Sequence, residues 1–88
     1  MSNDSTSMKE LYRVIVSLGS VEDCEAFFAD LCTPKEVAAM AQRLEAAKLL
    51  LAGKTYEEII ALTDISSATL SRVSRCTKYG SGYKKVLK

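Results

Sequence analysis

The 88-residue chain has no histidine, one proline, four glycines and three cysteines. Each scarcity excludes something. Without histidine there is no side chain whose ordinary titration falls near neutrality. There is also no glycine-rich phosphate loop and no carboxylate pair in an evident cleft, so the usual carriers of acid–base and phosphoryl-transfer catalysis are missing. A cysteine nucleophile would need a base beside it, and none is evident. An enzyme is therefore not expected. Cys24, Cys32 and Cys76 are odd in number and lack the Cys-x-x-Cys spacing of a zinc site, which argues against both a disulfide framework and a metal. Cys24 and Cys32, set among apolar neighbours, are expected to be buried, reduced thiols. No run approaches the roughly 20 apolar residues of a membrane span, and the first residues lack the basic-then-apolar order of a signal peptide. A cytoplasmic location is the expectation.

What is present is apolar periodicity. Apolar residues make up 48% of the chain, and they recur at intervals of three and four, the signature of an all-α protein of five to six short helices. After a loose polar tail over residues 1–7, Leu11, Ile15 and Leu18 mark a first helix over residues 8–18. Ser20 is placed to cap a second, whose stripe is Val21, Cys24, Phe28 and Leu31. Thr33-Pro34-Lys35-Glu36 combines a cap hydroxyl, proline at the first helical position and glutamate three residues after the cap. The helix it opens should run to Ala52 and stop at Gly53, with Val37, Met40, Ala41, Leu44 and Leu51 on one face.

A single domain spanning residues 8–88 is small. At this size folding buries only about 60–65% of the unfolded chain's surface, so a monomer would be marginal. The third helix is apolar nearly all round at Leu49-Leu50-Leu51, more than a few short neighbours can cover. An interlaced homodimer is the expected solution.

Thr55-Tyr56-Glu57-Glu58 repeats the capping-box chemistry and opens a short helix to about Leu62, with Ile59 and Ile60 pointing inward. Thr63-Asp64-Ile65 is the turn. Aspartate at this turn position tolerates a left-handed backbone better than most residues. Ser66 then caps a helix whose Leu70 and Val73 face the core. Two short helices joined by so short a turn, with apolar residues at Ile59, Ile65, Leu70 and Val73, have the spacing of a helix-turn-helix over residues 55–78.

Its outer face suits DNA. Ser66, Ser67, Ala68, Thr69 and Ser71 are small enough for the backbone to approach a major groove while offering hydroxyls and methyls to base edges. Arg72, Arg75 and Lys78 supply cations for guanine or for flanking phosphates. The charge agrees: net charge is only +1, but from Ser66 onward the chain has six bases and no acid. That tail is where a polyanion would bind.

Thr33-Pro34 through Gly53, followed by Thr55 to Arg75 with its Ala68-Thr69-Leu70-Ser71-Arg72 core, resembles the Trp repressor superfamily, and within it the small YerC/YecD-type Trp-repressor-like members. The resemblance implies an intertwined dimer that binds an operator. It also places Arg43 and Arg72 at the two arginines that sandwich an amino-acid corepressor in that family, so a small anionic or zwitterionic effector is conceivable. Val73 stands where the family has glycine and Ala47 reshapes the same pocket, which argues against tryptophan as the ligand. Glu57 stands where Trp repressor carries a base-contacting arginine, so a different operator is expected.

The function expected from these residues is that of a sequence-specific, DNA-binding transcriptional regulator, a repressor in sense, with double-stranded DNA and a second copy of itself as partners and no obligate cofactor. The alternative is a helical interaction or assembly module that keeps the fold without the DNA contacts, a reading favoured by a net charge too small for strong non-specific attraction.

Overall fold

The computed structural model describes residues 5–87, and among these it is entirely helical. The helices are α1 (Ser5–Ser17), α2 (Val21–Leu31), α3 (Pro34–Leu51), α4 (Tyr56–Thr63), α5 (Ser67–Tyr79) and α6 (Gly82–Leu87). Of the polar tail expected over residues 1–7, residues 1–4 lie outside the described part, and Ser5, Thr6 and Ser7 form the first turn of α1. Hydroxyl residues are favoured at helix starts, which explains the earlier onset. The chain divides into two compact units, one ending at Pro34 and one beginning at Lys35.

The first unit holds α1 and α2. Ser20 caps α2 as expected, its side chain accepting from the Asp23 N–H at 3.0 Å. Glu22 and Asp23 in the first turn add favourable charge at the positive end of the helix dipole. Phe27 and Phe28 meet edge to face, ring centroids 5.7 Å apart. Neither helix buries a residue. Cys24 is exposed and Cys32 half-buried, both as free thiols. The expectation that both are buried is thus corrected: α1 and α2 by themselves enclose no core, and the apolar stripe of α2 is at most half-buried.

The second unit has a true core. Ala46 and Ala47 of α3, Ile59 of α4, Ile65 of the turn, and Leu70 and Val73 of α5 are all 2% exposed or less. Leu49, Leu50, Tyr83 and Leu87 pack around them. Each large aliphatic side chain so buried contributes about 1.5–3 kcal/mol. The alanines matter for the opposite reason, since a side chain without reach lets other elements lie close to the α3 backbone.

Two expectations about this core are corrected. The α3 stripe read as core, Val37, Met40, Ala41, Leu44 and Leu51, is at most half-buried, with Leu44 45% and Leu51 42% exposed. The face toward α4 and α5 is the neighbouring one, centred on Ala46, Ala47 and Leu50; a helix apolar on two sides gives no periodic cue to choose between them. Ile60, read as inward with Ile59, is exposed, because consecutive residues point about 100° apart and one short helix has a single inner side.

Helix ends follow local chemistry closely. The α3 terminus is a Schellman motif: Gly53 N–H donates to Leu50 O and Lys54 N–H to Leu49 O, both at 3.0 Å. Gly53 has a φ of 90°, which favours glycine. Gly80 caps α5 in an extended conformation in which a Cβ would lie 2.8 Å from Cys76 O, so the position favours glycine.

Candidate nucleic-acid interface

The second unit contains the two helices expected of a helix-turn-helix, α4 and α5, separated by Asp64, Ile65 and Ser66. Thr55 and Glu58 form the full capping box that starts α4. The Glu58 carboxylate accepts from the Thr55 N–H at 2.8 Å and from the Thr55 hydroxyl at 3.2 Å, and the Glu58 N–H donates to Thr55 Oγ1 at 3.2 Å. The Thr55 backbone N–H, then its hydroxyl, hold the exposed Glu58 carboxyl below the ordinary glutamate value.

The turn is fixed from several sides. Asp64 adopts the left-handed conformation anticipated for it, with a φ of 62°, and its N–H donates to Ile60 O at 2.8 Å. Thr63 Oγ1 donates back to Ile59 O at 2.7 Å and accepts from the Ile65 N–H at 3.3 Å. Gln42 of α3 donates from Nε2 to Thr63 O at 3.0 Å, satisfying one of the carbonyls that a helix end leaves open. Sequence reasoning missed Gln42, because nothing in the α3 pattern distinguishes it from a solvated glutamine. With Ile65 buried between them, the two helices are pinned to one geometry at the point where the chain reverses.

The two sides of α5 differ completely. Leu70, Val73, Ser74 and Thr77 are buried, a spacing of three, one and three that defines one helical stripe. Ser74 and Thr77 were not foreseen as buried because both are polar; Thr77 Oγ1 satisfies itself on Ser74 O at 2.8 Å. Ser67, Ala68, Ser71, Arg72, Arg75 and Lys78 lie exposed on the other side. Two of the residues proposed from sequence to face DNA have a further role. Ser66 accepts from the Thr69 N–H at 3.2 Å and donates to Thr69 Oγ1 at 3.0 Å, so this hydroxyl is engaged in capping α5, and Thr69 is half-buried.

Electrostatically the exposed side of α5 is uncompensated. Among the described residues, Arg72, Arg75 and Lys78 form no ion pair with a carboxylate; the ion pair that is seen, Arg13 with Glu10 at 3.6 Å, belongs to α1. The arginine pair suggested as an effector clamp comprises a half-buried Arg43 on α3 and an exposed Arg72 on α5. No hydrogen bond or ring contact joins them.

Comparison with known proteins fits this arrangement. The Trp repressor protein family matches residues 6–88, nearly the whole chain. The chain belongs to the Trp repressor family. Membership brings the fold of a helix-turn-helix regulator rather than that of an enzyme. YerC of Bacillus subtilis (strain 168), itself uncharacterized, is 48% identical over 73 residues, covering 83% of this chain and 70% of YerC. A crystal structure assigned as a Trp repressor from Staphylococcus aureus superposes with a TM-score of 0.90 at 38% identity, covering 96% of this chain and 85% of that one. A TrpR-like protein from Eubacterium eligens ATCC 27750 gives 0.88 at 37% identity, with 97% and 88% covered.

Proposed function

We propose that this Trp repressor family member is a sequence-specific DNA-binding regulator of transcription, a repressor working in the cytoplasm as a homodimer. The observation that carries this reading is the exposed side of α5, where small residues (Ser67, Ala68, Ser71) lead into cations (Arg72, Arg75, Lys78) that no carboxylate among the described residues pairs. The small residues admit the helix to a major groove. Ser67 and Ser71 offer hydroxyls to base edges, and Ser66 and Thr69 complete the leading turn. The arginines are suited to bidentate contact with guanine O6 and N7 or with phosphate oxygens.

The homodimer is supported by what the chain leaves open. Val16, Val21, Leu31, Leu44 and Leu51 are 83%, 70%, 51%, 45% and 42% exposed, too many apolar side chains for a stable monomer surface. A second copy supplies matching apolar stripes. In helix-turn-helix repressors, Trp repressor among them, a two-fold dimer presents two recognition helices to successive major grooves about 34–36 Å apart. The operator is then a pseudo-palindrome, and Glu57 at the start of α4 makes it differ from one read by arginine at that place. Arg43 and Arg72 remain the groups for a small anionic effector, with tryptophan not the expected ligand.

Fluorescence anisotropy with a labelled random-sequence duplex, followed from low to high salt, tests the reading. DNA binding that weakens steeply with salt, and that Arg72→Ala and Arg75→Ala each reduce, is the expected result. Negligible affinity at low salt would move the protein to the interaction-module class.

A further inference from the structure

Beyond α5 the chain turns at Gly80 and forms α6, which lies outside the helix-turn-helix. Tyr83 and Leu87 of α6 pack against the core of the second unit, so this short helix is anchored rather than trailing. Its other residues include Lys84 and Lys85, both exposed. The Lys84 ammonium does not extend into solvent at random: Nζ donates to Lys78 O, in the last turn of α5, at 3.1 Å. That contact places a second cation beside the backbone of Lys78, itself a cation. Among the described residues no carboxylate pairs with Lys78, Lys84 or Lys85, and the last acid before them is Asp64.

The α5 C-terminus accounts for part of this arrangement, because a carbonyl at the negative end of a helix dipole attracts an ammonium. It does not account for the rest. One carbonyl occupies one of three Lys84 donors, the Lys85 ammonium makes no hydrogen bond or ion pair among the described residues, and like charges held together without a counter-charge repel. An anion between them reverses the sign of that interaction. The Lys84 ammonium thus sits on the backbone of Lys78, the last of the three cations Arg72, Arg75 and Lys78, which span about 9 Å of the α5 axis at 1.5 Å per residue.

We propose that α6 is a second nucleic-acid contact, with Lys84 and Lys85 joining Lys78 to hold backbone phosphates that flank the bases facing α5. This rests on the DNA-binding reading above and extends it: α5 would specify sequence, while the α5–α6 corner would set affinity and register without reading bases. The Lys84 bond to Lys78 O would act as a brace, pre-orienting the corner before DNA arrives.

The test uses the full chain and a fluorescein-labelled 30-base-pair random-sequence duplex, with affinity measured across a salt series for wild type, Lys85→Gln, Lys84→Gln/Lys85→Gln and Arg72→Ala. Each lost phosphate contact lowers the log–log salt slope by about one unit per protomer. Lys85→Gln is the cleanest probe, since it breaks no intramolecular bond. It should fold as wild type does, flatten the slope by about one unit per protomer and weaken binding about tenfold; the double variant should lose about two units per protomer. Lys84→Arg in place of Lys84→Gln should restore most of the difference. If Arg72→Ala weakens binding while Lys85→Gln and the double variant keep the wild-type slope, the α6 contact is refuted and the helix-turn-helix reading stands. If the wild type itself shows no salt-dependent binding, both fall.

Discussion

The two units of this chain use the same raw material to different ends. The unit ending at Pro34 contains two well-formed helices and no buried residue, whereas the unit beginning at Lys35 buries six apolar side chains from α3, α4, the turn and α5. Composition does not explain the contrast. α1 and α2 carry Met8, Leu11, Val16, Val21 and Leu31, as apolar as anything in the second unit, yet all of these are exposed. The difference is one of closure. The second unit folds its apolar faces upon one another through two short turns, while the first presents its own outward. One unit holds the helix-turn-helix around a closed core; the other carries the exposed apolar residues that the dimer proposal assigns to a second copy.

That contrast can be broken most sharply at the core. Leu70 is fully buried beneath the exposed face of α5, and Leu70→Ala should lower stability by about 2–5 kcal/mol, read by urea denaturation. Val16→Asp, at an 83% exposed position, should leave helix content by circular dichroism intact but shift sedimentation equilibrium from dimer to monomer. A Val16→Asp protein that remains dimeric would remove α1 from the interface.

Next in size is DNA affinity. Arg72→Ala should weaken binding by about 1–3 kcal/mol in titrations at fixed salt, and Arg13→Ala in the first unit, where the arginine is already paired with Glu10, should leave it nearly unchanged. A smaller effect is expected at the turn. Asp64 occupies a left-handed conformation that costs a non-glycine residue about 1–2 kcal/mol. Asp64→Gly relieves this at some entropic cost, for a net gain of about 0.5–1 kcal/mol in thermal denaturation.

The smallest effect is a pH dependence. The Glu58 carboxyl is held below its ordinary value by the Thr55 N–H and hydroxyl, so the folded state binds its proton less readily than the unfolded chain. The resulting stabilisation is fully present above the ordinary glutamate range and is lost as pH falls through the lowered value. Glu58→Gln should lower stability slightly at neutral pH, where the carboxylate contributes, and converge with wild type in acid, which flattens the acid limb of the stability curve.

Much of this was legible in the residues. Every helix from α2 to α5 begins within a residue or two of its expected start, because capping by Ser20, Thr55 and Ser66 is a local matter decided within one turn. The buried quartet Ile59, Ile65, Leu70 and Val73 followed from spacing, and the left-handed Asp64 is one that aspartate's tolerance of that conformation allows. What could not be read was how the faces are shared out. The α3 helix has two apolar sides, and only the packed structure shows that Ala46 and Ala47, not Leu44 and Leu51, meet the helix-turn-helix. The buried Thr77 satisfies its hydroxyl on Ser74 O within its own helix, which no hydropathy pattern reports. Gln42 and Lys84 act through long-range bonds to Thr63 O and Lys78 O, and a polar residue's distant partner leaves no trace in periodicity.

The central claim is that α5 reads DNA sequence from a two-fold dimer, and the most direct measurement is selection of random duplexes by the purified protein, with sequencing of the bound pool. The account predicts enrichment of a pseudo-palindromic motif whose half-sites lie about one helical turn apart. A pool that stays flat, from a protein that is folded and dimeric, would contradict it.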